Sequence, residues 1–178
     1  MKSGKILVTG GAGFVGSHLC EALLAKEYEV YAIDNLNTGR MSNLEACMHS
    51  PKFFFVQADV CDGIPFNIPF DWICHLASPA APAAYRKDPI GTIRVNTEGT
   101  RLLLEYARHY CTKVLLASTS EVYGDPKLHP QKEAYWGHVN SYGERACYDE
   151  GKRCAEALCY AYAQRYGLRI QIIRIFNT

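Results

Sequence analysis

No apolar run in the 178-residue sequence approaches the ~18 residues a helix needs to cross a bilayer. Met1-Lys2-Ser3-Gly4 leads straight into an apolar strand, without the hydrophobic core of a secretory leader. A cytoplasmic protein with no membrane partner is the expectation. Charge of one sign is missing too: 19 basic against 18 acidic residues leave a formal net charge of +1. No run of like charge builds a field that would gather nucleic acid. The eight cysteines, at 20, 47, 61, 74, 111, 147, 154 and 159, contain no CxxC pair and no spacing of the zinc type. No metal site is expected, and the thiols read as free in a reducing compartment. Internal repeats and low-complexity segments are also absent, which excludes a solenoid.

What is present is ordinary in amount and informative in order. Hydrophobic residues make up 48% and charged ones 21% of the chain, enough for one buried core. Short apolar runs alternate with longer segments of helical period. Strands are expected near Lys5–Thr9, Glu29–Ile33, Phe53–Gln57, Trp72–Leu76, Lys113–Ser118 and Arg169–Phe176. Between them, Val15, Leu19, Ala22 and Leu23 predict one inward helix face, and Ala155, Leu158, Cys159, Tyr162 and Tyr166 another. Pro89 suits the first turn of a helix running to about Tyr110, with Ile93, Thr97, Thr100, Leu104 and Ala107 inside. This rhythm predicts a single α/β domain over residues 1–178, a doubly wound parallel sheet of order 3-2-1-4-5-6. Its ligand crevice would open at the carboxyl ends of the strands.

The first strand ends in Thr9-Gly10-Gly11-Ala12-Gly13-Phe14-Val15-Gly16, and the glycine spacing opens directly into a helix. Gly10 would allow the tight turn, Gly13 the approach of a pyrophosphate to the backbone, and Gly16 close packing of helix on strand; Phe14 and Val15 sit at the helix N-terminus, whose partial positive charge favours an anion. Asp34, 18 residues past Gly16, falls near the ~20-residue spacing of a carboxylate that binds the adenosine ribose. It would repel a 2′-phosphate, so NAD is expected rather than NADP, although Arg40 is placed to suit the phosphate. Asn35 and Thr38 continue the same turn. Standing alone, Asp34 would read equally well as the start of that turn. Asp59, with Val60, is a candidate for the adenine edge, and an isolated aspartate there would read as a helix cap. Leu76, Ala77 and Ser78 follow the fourth strand, where small residues let a ring lie close to the backbone or simply pack.

Tyr148-Asp149-Glu150-Gly151-Lys152 places a phenol and an ammonium one helical turn apart. A neighbouring cation favours phenolate, so Tyr148 is a candidate base. Most Tyr-x-x-x-Lys spacings are surface pairs; this one lies between the fifth and sixth strands of a dinucleotide-binding sheet. Thr119 leaves the fifth strand at the crevice lip and would polarise the reacting oxygen, while a bland reading makes the Ser/Thr cluster a loop start. No metal is needed for this chemistry.

The glycine loop, Asp34, Thr119 and Tyr148/Lys152 stand in the chain order of the extended short-chain dehydrogenases/reductases, whose nucleotide domain is a Rossmann fold. Longer segments sharpen the likeness. His75-Leu-Ala-Ser-Pro79, Ser118-Thr-Ser-Glu-Val-Tyr-Gly-Asp-Pro126, Tyr135-Trp-Gly-His138, Cys147-Tyr-Asp-Glu-Gly-Lys-Arg153 and Arg174-Ile-Phe-Asn-Thr178 resemble the UDP-glucuronate decarboxylase family over essentially the whole chain. The resemblance implies Tyr148 as base, Lys152 as ribose anchor, Thr119 as third member and Glu121 as the group that assists reprotonation. Ser120, Tyr85, Arg94 and Asn177 would face a UDP-sugar. Related 4,6-dehydratases carry an aspartate in place of Ser120, and a serine is a far weaker acid for expelling a hydroxyl. The implied reaction oxidises C4 of the sugar, releases carbon dioxide, protonates C5 and restores NAD.

Asn140-Ser-Tyr-Gly-Glu-Arg145 departs from the family's Asn-Pro-Ile-Gly-Pro-Arg, which predicts a less rigid approach to the catalytic tyrosine. Family members also continue beyond the equivalent of Thr178 into a substrate domain, and the full-length form is expected to be a homodimer. Three readings follow. One is a decarboxylase represented here by its nucleotide domain, another a UDP-sugar 4-epimerase or 4,6-dehydratase, and the third a non-catalytic NAD-binding module.

Overall fold

The computed structural model describes residues 4–176. Six strands form one parallel sheet in the order β3-β2-β1-β4-β5-β6. They are β1 (Lys5–Thr9), β2 (Glu29–Asp34), β3 (Phe53–Gln57), β4 (Trp72–His75), β5 (Lys113–Thr119) and β6 (Ile170–Ile175). The helices are α1 (Phe14–Ala25), the single turn α2 (Glu45–Met48), α3 (Pro82–Lys87), α4 (Pro89–Arg94), α5 (Thr100–Tyr110) and α6 (Ala146–Tyr166). The strand order and strand positions agree with the sequence expectation to within a residue or so at each end. None of the helices among the described residues is long and apolar enough to cross a membrane.

Strand alternation divides the interior into two cores. Ile6 and Val8 of β1 face the side that holds Val30, Ala32, Cys20, Leu44 and Cys74. Leu7 faces the other, with Ile33, Ile73, Leu103, Leu104 and Ala155. Successive side chains leave a strand on opposite faces, so a strand covered on both sides must be apolar throughout. At the sheet's end β6 is covered less well, and Ile172 and Ile173 are exposed. All eight cysteines are free thiols, six of them buried.

Register brings the functional ends level. Thr9 pairs with Ile33 on one side and His75 on the other, so the turns after β1, β2 and β4 emerge along one edge. Thr119 pairs with Ile175 and extends that edge across the switch point between β1 and β4.

Three helix faces differ from expectation. In α1 the buried residues are Gly16, Ser17 and Cys20; Leu19 and Leu23 pack alongside, whereas Ala22 and Val15 are exposed. The first turn of α1 faces the crevice, and that rotates its inner stripe. In α6, Tyr166 is exposed beneath the guanidinium of Arg108, while Ala155 and Cys159 are buried as expected. The helix expected from Pro89 to Tyr110 is divided by a π-helical turn at Val95–Gly99. Its buried residues are Thr92, Asn96, Gly99, Thr100, Leu103, Leu104 and Ala107, and Ile93 is exposed. A regular 3.6-residue period cannot anticipate the extra residue that a wide turn inserts.

Candidate active site

Two cavities meet at the carboxyl edge. The first is lined by Gly10, Gly13, Asp34, Asn35, Thr38, Asp59 and Val60 together with Leu76, Ala77 and Ser78. The second is lined by Thr119, Glu121, Tyr148, Lys152, Tyr85 and Arg145 among others, and shares Leu76 and Ser78 with the first.

In the first cavity, turn geometry sets the floor. Gly10 has φ +71°, and a Cβ there would lie 2.8 Å from the Ala77 amide nitrogen. A Cβ on Gly16 would lie 2.1 Å from the Gly10 carbonyl oxygen. Both positions require glycine, the first for its left-handed backbone and the second for contact between α1 and the turn. No side chain caps α1 at Gly13, so its first-turn amides are available to an anion. Asp34 is buried, and its carboxylate accepts from Ala12 N at 3.0 Å and Leu36 N at 2.8 Å. Each oxygen keeps a further lone pair for a ribose hydroxyl. Asp59 accepts from Cys61 N at 2.8 Å and from Asn35 Nδ2 at 2.9 Å. Burial opposes its charge, but these hydrogen bonds outweigh it and hold the carboxyl below its ordinary range.

The floor between the cavities is tied by His75. Its buried ring bridges Thr9 Oγ1 at 2.7 Å and Thr100 Oγ1 at 3.1 Å, and Thr9 Oγ1 accepts from Ala77 N at 3.3 Å. Burial first, and the Lys152 charge second, lower its pKa to about 3.

In the second cavity, α6 supplies the acid–base groups. Tyr148 is buried and stacks on Tyr85 with centroids 5.1 Å apart and planes 5° apart. Lys152 is buried, and its Nζ donates to Ala117 O at 2.8 Å. Burial pulls the ammonium down to about 8. Burial also pushes the Tyr148 phenol up, and a hydrogen bond with Thr119 opposes this only in part. The expected phenolate draws on two cations, the Lys152 ammonium, which donates to a strand carbonyl, and the nicotinamide ring of bound NAD.

Glu121 forms an ion pair with Arg145. Arg145 also lies 3.8 Å from Asp149, whose Oδ1 is buried without a partner among the described residues. Burial raises the Asp149 carboxyl despite Arg145.

Other placements differ from expectation. Arg94 lines the first cavity, not the sugar side, because its guanidinium is drawn to Asp62 Oδ1 at 3.3 Å and the Cys61 carbonyl at 3.5 Å. Phe14 is 70% exposed, packed edge-on to His18 and outside both linings. Ser120 opens the 3₁₀ turn Ser120–Tyr123 and lines neither cavity. Asn177 lies outside the described residues. Arg145 and His75 were not singled out as site residues from the sequence. Arg145 closes the Asn140–Arg145 departure, and His75 follows three apolar strand residues; each signal was visible but had no partner attached to it. Among the described residues no group of three or more His, Cys, Asp or Glu is placed to hold a metal.

A doubly wound sheet with a glycine turn, a buried carboxylate at the end of β2 and a Tyr/Lys pair defines a dinucleotide-dependent enzyme fold. The chain belongs to the NAD dependent epimerase/dehydratase family, whose model matches residues 6–178. It is 52% identical over 174 residues to UDP-glucuronic acid decarboxylase 1 of Xenopus tropicalis, covering 98% of this chain and 41% of that protein. It is 49% identical over 175 residues to UDP-glucuronic acid decarboxylase 6 of Arabidopsis thaliana, covering 98% and 50%. The chain thus spans half or less of the length of these curated relatives. Among solved structures, the UDP-glucuronic acid 4-epimerase from Bacillus cereus in complex with NAD superposes with a TM-score of 0.81 at 32% identity, covering 97% of this chain and 56% of that one. The cofactor is NAD, and the glycine cradle and the Asp34 carboxylate fit it.

Proposed function

We propose that this chain provides the NAD-binding and acid–base machinery of a UDP-glucuronate decarboxylase. One observation carries the reading: the cavity lined by Thr119, Glu121, Tyr148 and Lys152 shares Leu76 and Ser78 with the cavity lined by Asp34. A sugar beside Tyr148 would therefore adjoin a cofactor held by the glycine turn. The identity of about half to decarboxylases, over 98% of the chain, supports this choice within the family.

Bound NAD supplies hydride acceptance at C4 of the sugar and its later return. Gly10, Gly13 and Asp34 would hold its pyrophosphate and ribose, and Lys152 the second ribose. Tyr148, with Thr119 beside it, takes the proton of the C4 hydroxyl as that carbon is oxidised and gives it back at the end. The 4-keto sugar carries its carboxylate β to the ketone, so carbon dioxide leaves with the electron pair delocalised onto the C4 oxygen. Glu121 then assists proton delivery to C5, with Arg145 holding its carboxylate. Where the related 4,6-dehydratases carry an aspartate this chain carries Ser120, which lines neither cavity, so that position offers no carboxylic acid for elimination. Cytoplasmic placement and a homodimeric full-length form belong to the same reading.

The test is product analysis after incubating the natural full-length protein with NAD and UDP-glucuronate. Release of carbon dioxide and a product lighter by that mass are expected. A product of unchanged mass would make the protein an epimerase, and loss of water a dehydratase. This chain alone is expected to turn over more than tenfold more slowly than a full-length relative, because positioning supplies roughly 7–11 kcal/mol of barrier lowering.

A further inference from the structure

The lip formed by the end of β5 and the turn after it, residues 118–123, is tied down by side chains. Ser118 donates to Glu156 Oε1 at 2.5 Å. The Val122 carbonyl accepts from Arg153 Nη1 at 2.9 Å. The Tyr123 hydroxyl accepts from Arg174 Nη1 at 2.8 Å, and Glu121 pairs with Arg145. These side-chain tethers come from α6, from Arg145 that caps it and from β6, none from the Gly10–Asp34 side, and the loop adds His138 N, which donates to Tyr123 O at 2.8 Å. Glu156 is the node, for besides Ser118 it takes the Arg174 guanidinium in a two-toothed fork, Nε at 3.0 Å and Nη2 at 2.7 Å. Such planar pairs fix direction as well as distance. The pair is largely shielded, with side-chain exposures of 15% for Glu156 and 26% for Arg174.

Glu156 also stands four residues after Lys152, which itself follows Tyr148 by four, so the three share one stripe of α6. A carboxylate on this stripe fixes the strand end that carries Thr119.

We propose that Glu156 is a positioning residue: by holding Ser118 and Arg174 in one node it registers the 118–123 lip on α6, and thereby sets Thr119 and Glu121 against Tyr148. The inference rests on the acid–base roles proposed above. Glu156 touches none of the reacting atoms and acts through Ser118. Its carboxylate is suited to the task, since burial works against its charge but the hydrogen bonds from Arg174 and Ser118 keep it ionised below the ordinary carboxylate range.

The test needs no turnover and therefore separates failure of this inference from failure of the decarboxylase reading. Amide hydrogen exchange is followed in this chain for wild type, Glu156→Gln, Arg174→Lys and Ser118→Ala. Glu156→Gln is expected to speed exchange of residues 118–123 by roughly tenfold or more, the scale of losing a charged hydrogen bond. Residues 6–16 and NAD affinity should stay at wild-type values. Arg174→Lys, keeping charge but not the fork, should fall between. Ser118→Ala should loosen the lip without touching the ion pair, and it decides the matter if Glu156→Gln unfolds. Lys152 titration, read by nitrogen NMR, should move to lower pH in Glu156→Gln, a response that simple loosening would not produce. Unchanged lip exchange in Ser118→Ala or in folded Glu156→Gln overturns the proposal, as does a Lys152 titration unmoved in folded Glu156→Gln.

Discussion

The half of the cleft beside Asp34 and the half beside Tyr148 are made of different material. The first uses backbone: a glycine turn, helix amides and a carboxylate anchored by the Ala12 and Leu36 amides. The second uses side chains drawn from α3, β5 and α6, and holds them by burial, stacking and ion pairs. A backbone site tolerates change wherever glycine is kept, whereas a side-chain site fails when any member goes. Substitutions should therefore act on separate observables, binding in one half and chemistry in the other.

The largest expected effect is on chemistry. In the natural full-length protein, Tyr148→Phe should lower kcat roughly 10²–10⁴-fold, the usual worth of a positioned proton-transfer group, while NAD affinity stays near wild type because the ring still stacks on Tyr85. Wild-type turnover in steady-state assays would remove Tyr148 from its role, and a parallel loss of NAD binding would erase the separation of the two halves.

Next comes cofactor choice. Calorimetric titration of this chain should favour NAD over NADP by about a hundredfold, or about 2.8 kcal/mol, as expected when a phosphate meets a buried carboxylate. Asp34→Ser should narrow that ratio to roughly tenfold or less. A preference that survives the substitution would mean that another group reads the ribose.

The smallest effect, taken per pH unit, concerns the seam beneath both halves. His75 is lowered from 6.5 to about 3 in the folded chain. A depressed histidine pKa means that the unfolded state binds the proton first. The stabilisation is complete above pH 6.5 and lost progressively as pH falls from there toward 3. The slope from this one residue approaches about 1.4 kcal/mol per pH unit. Urea midpoints should fall with acid more steeply in wild type than in His75→Gln, which is less stable at neutrality but has no imidazole to protonate. Parallel acid limbs would show that the ring is not the titrating group.

This contrast in material also governs what could be read in advance. The glycine turn and Asp34 were legible because backbone requirements leave fixed spacings in sequence. Tyr148 and Lys152 were legible for a similar reason, being one helical turn apart. The Glu121–Arg145 pair and the His75 bridge were not, since each joins residues from different elements and no local period links them. Arg94 is placed on the sugar side by family resemblance alone, and the structure instead turns it into the first cavity, where it meets Asp62, a contact no local spacing announces.

That wide turn has a consequence for how the protein can change. Between Val95 and Gly99 the helix carries one residue more than a regular coil of the same length would need. Upstream, Thr92 is buried, and within the turn buried Asn96 donates to Ser78 Oγ at 3.0 Å; downstream, Leu103, Leu104 and Ala107 fill the core. Deleting one residue there would restore a uniform helix and swing one of these faces by about 100°. No point substitution can make that correction, so the two faces are locked in phase by chain length, and insertions or deletions should be far rarer across this stretch than its exposed surface would suggest.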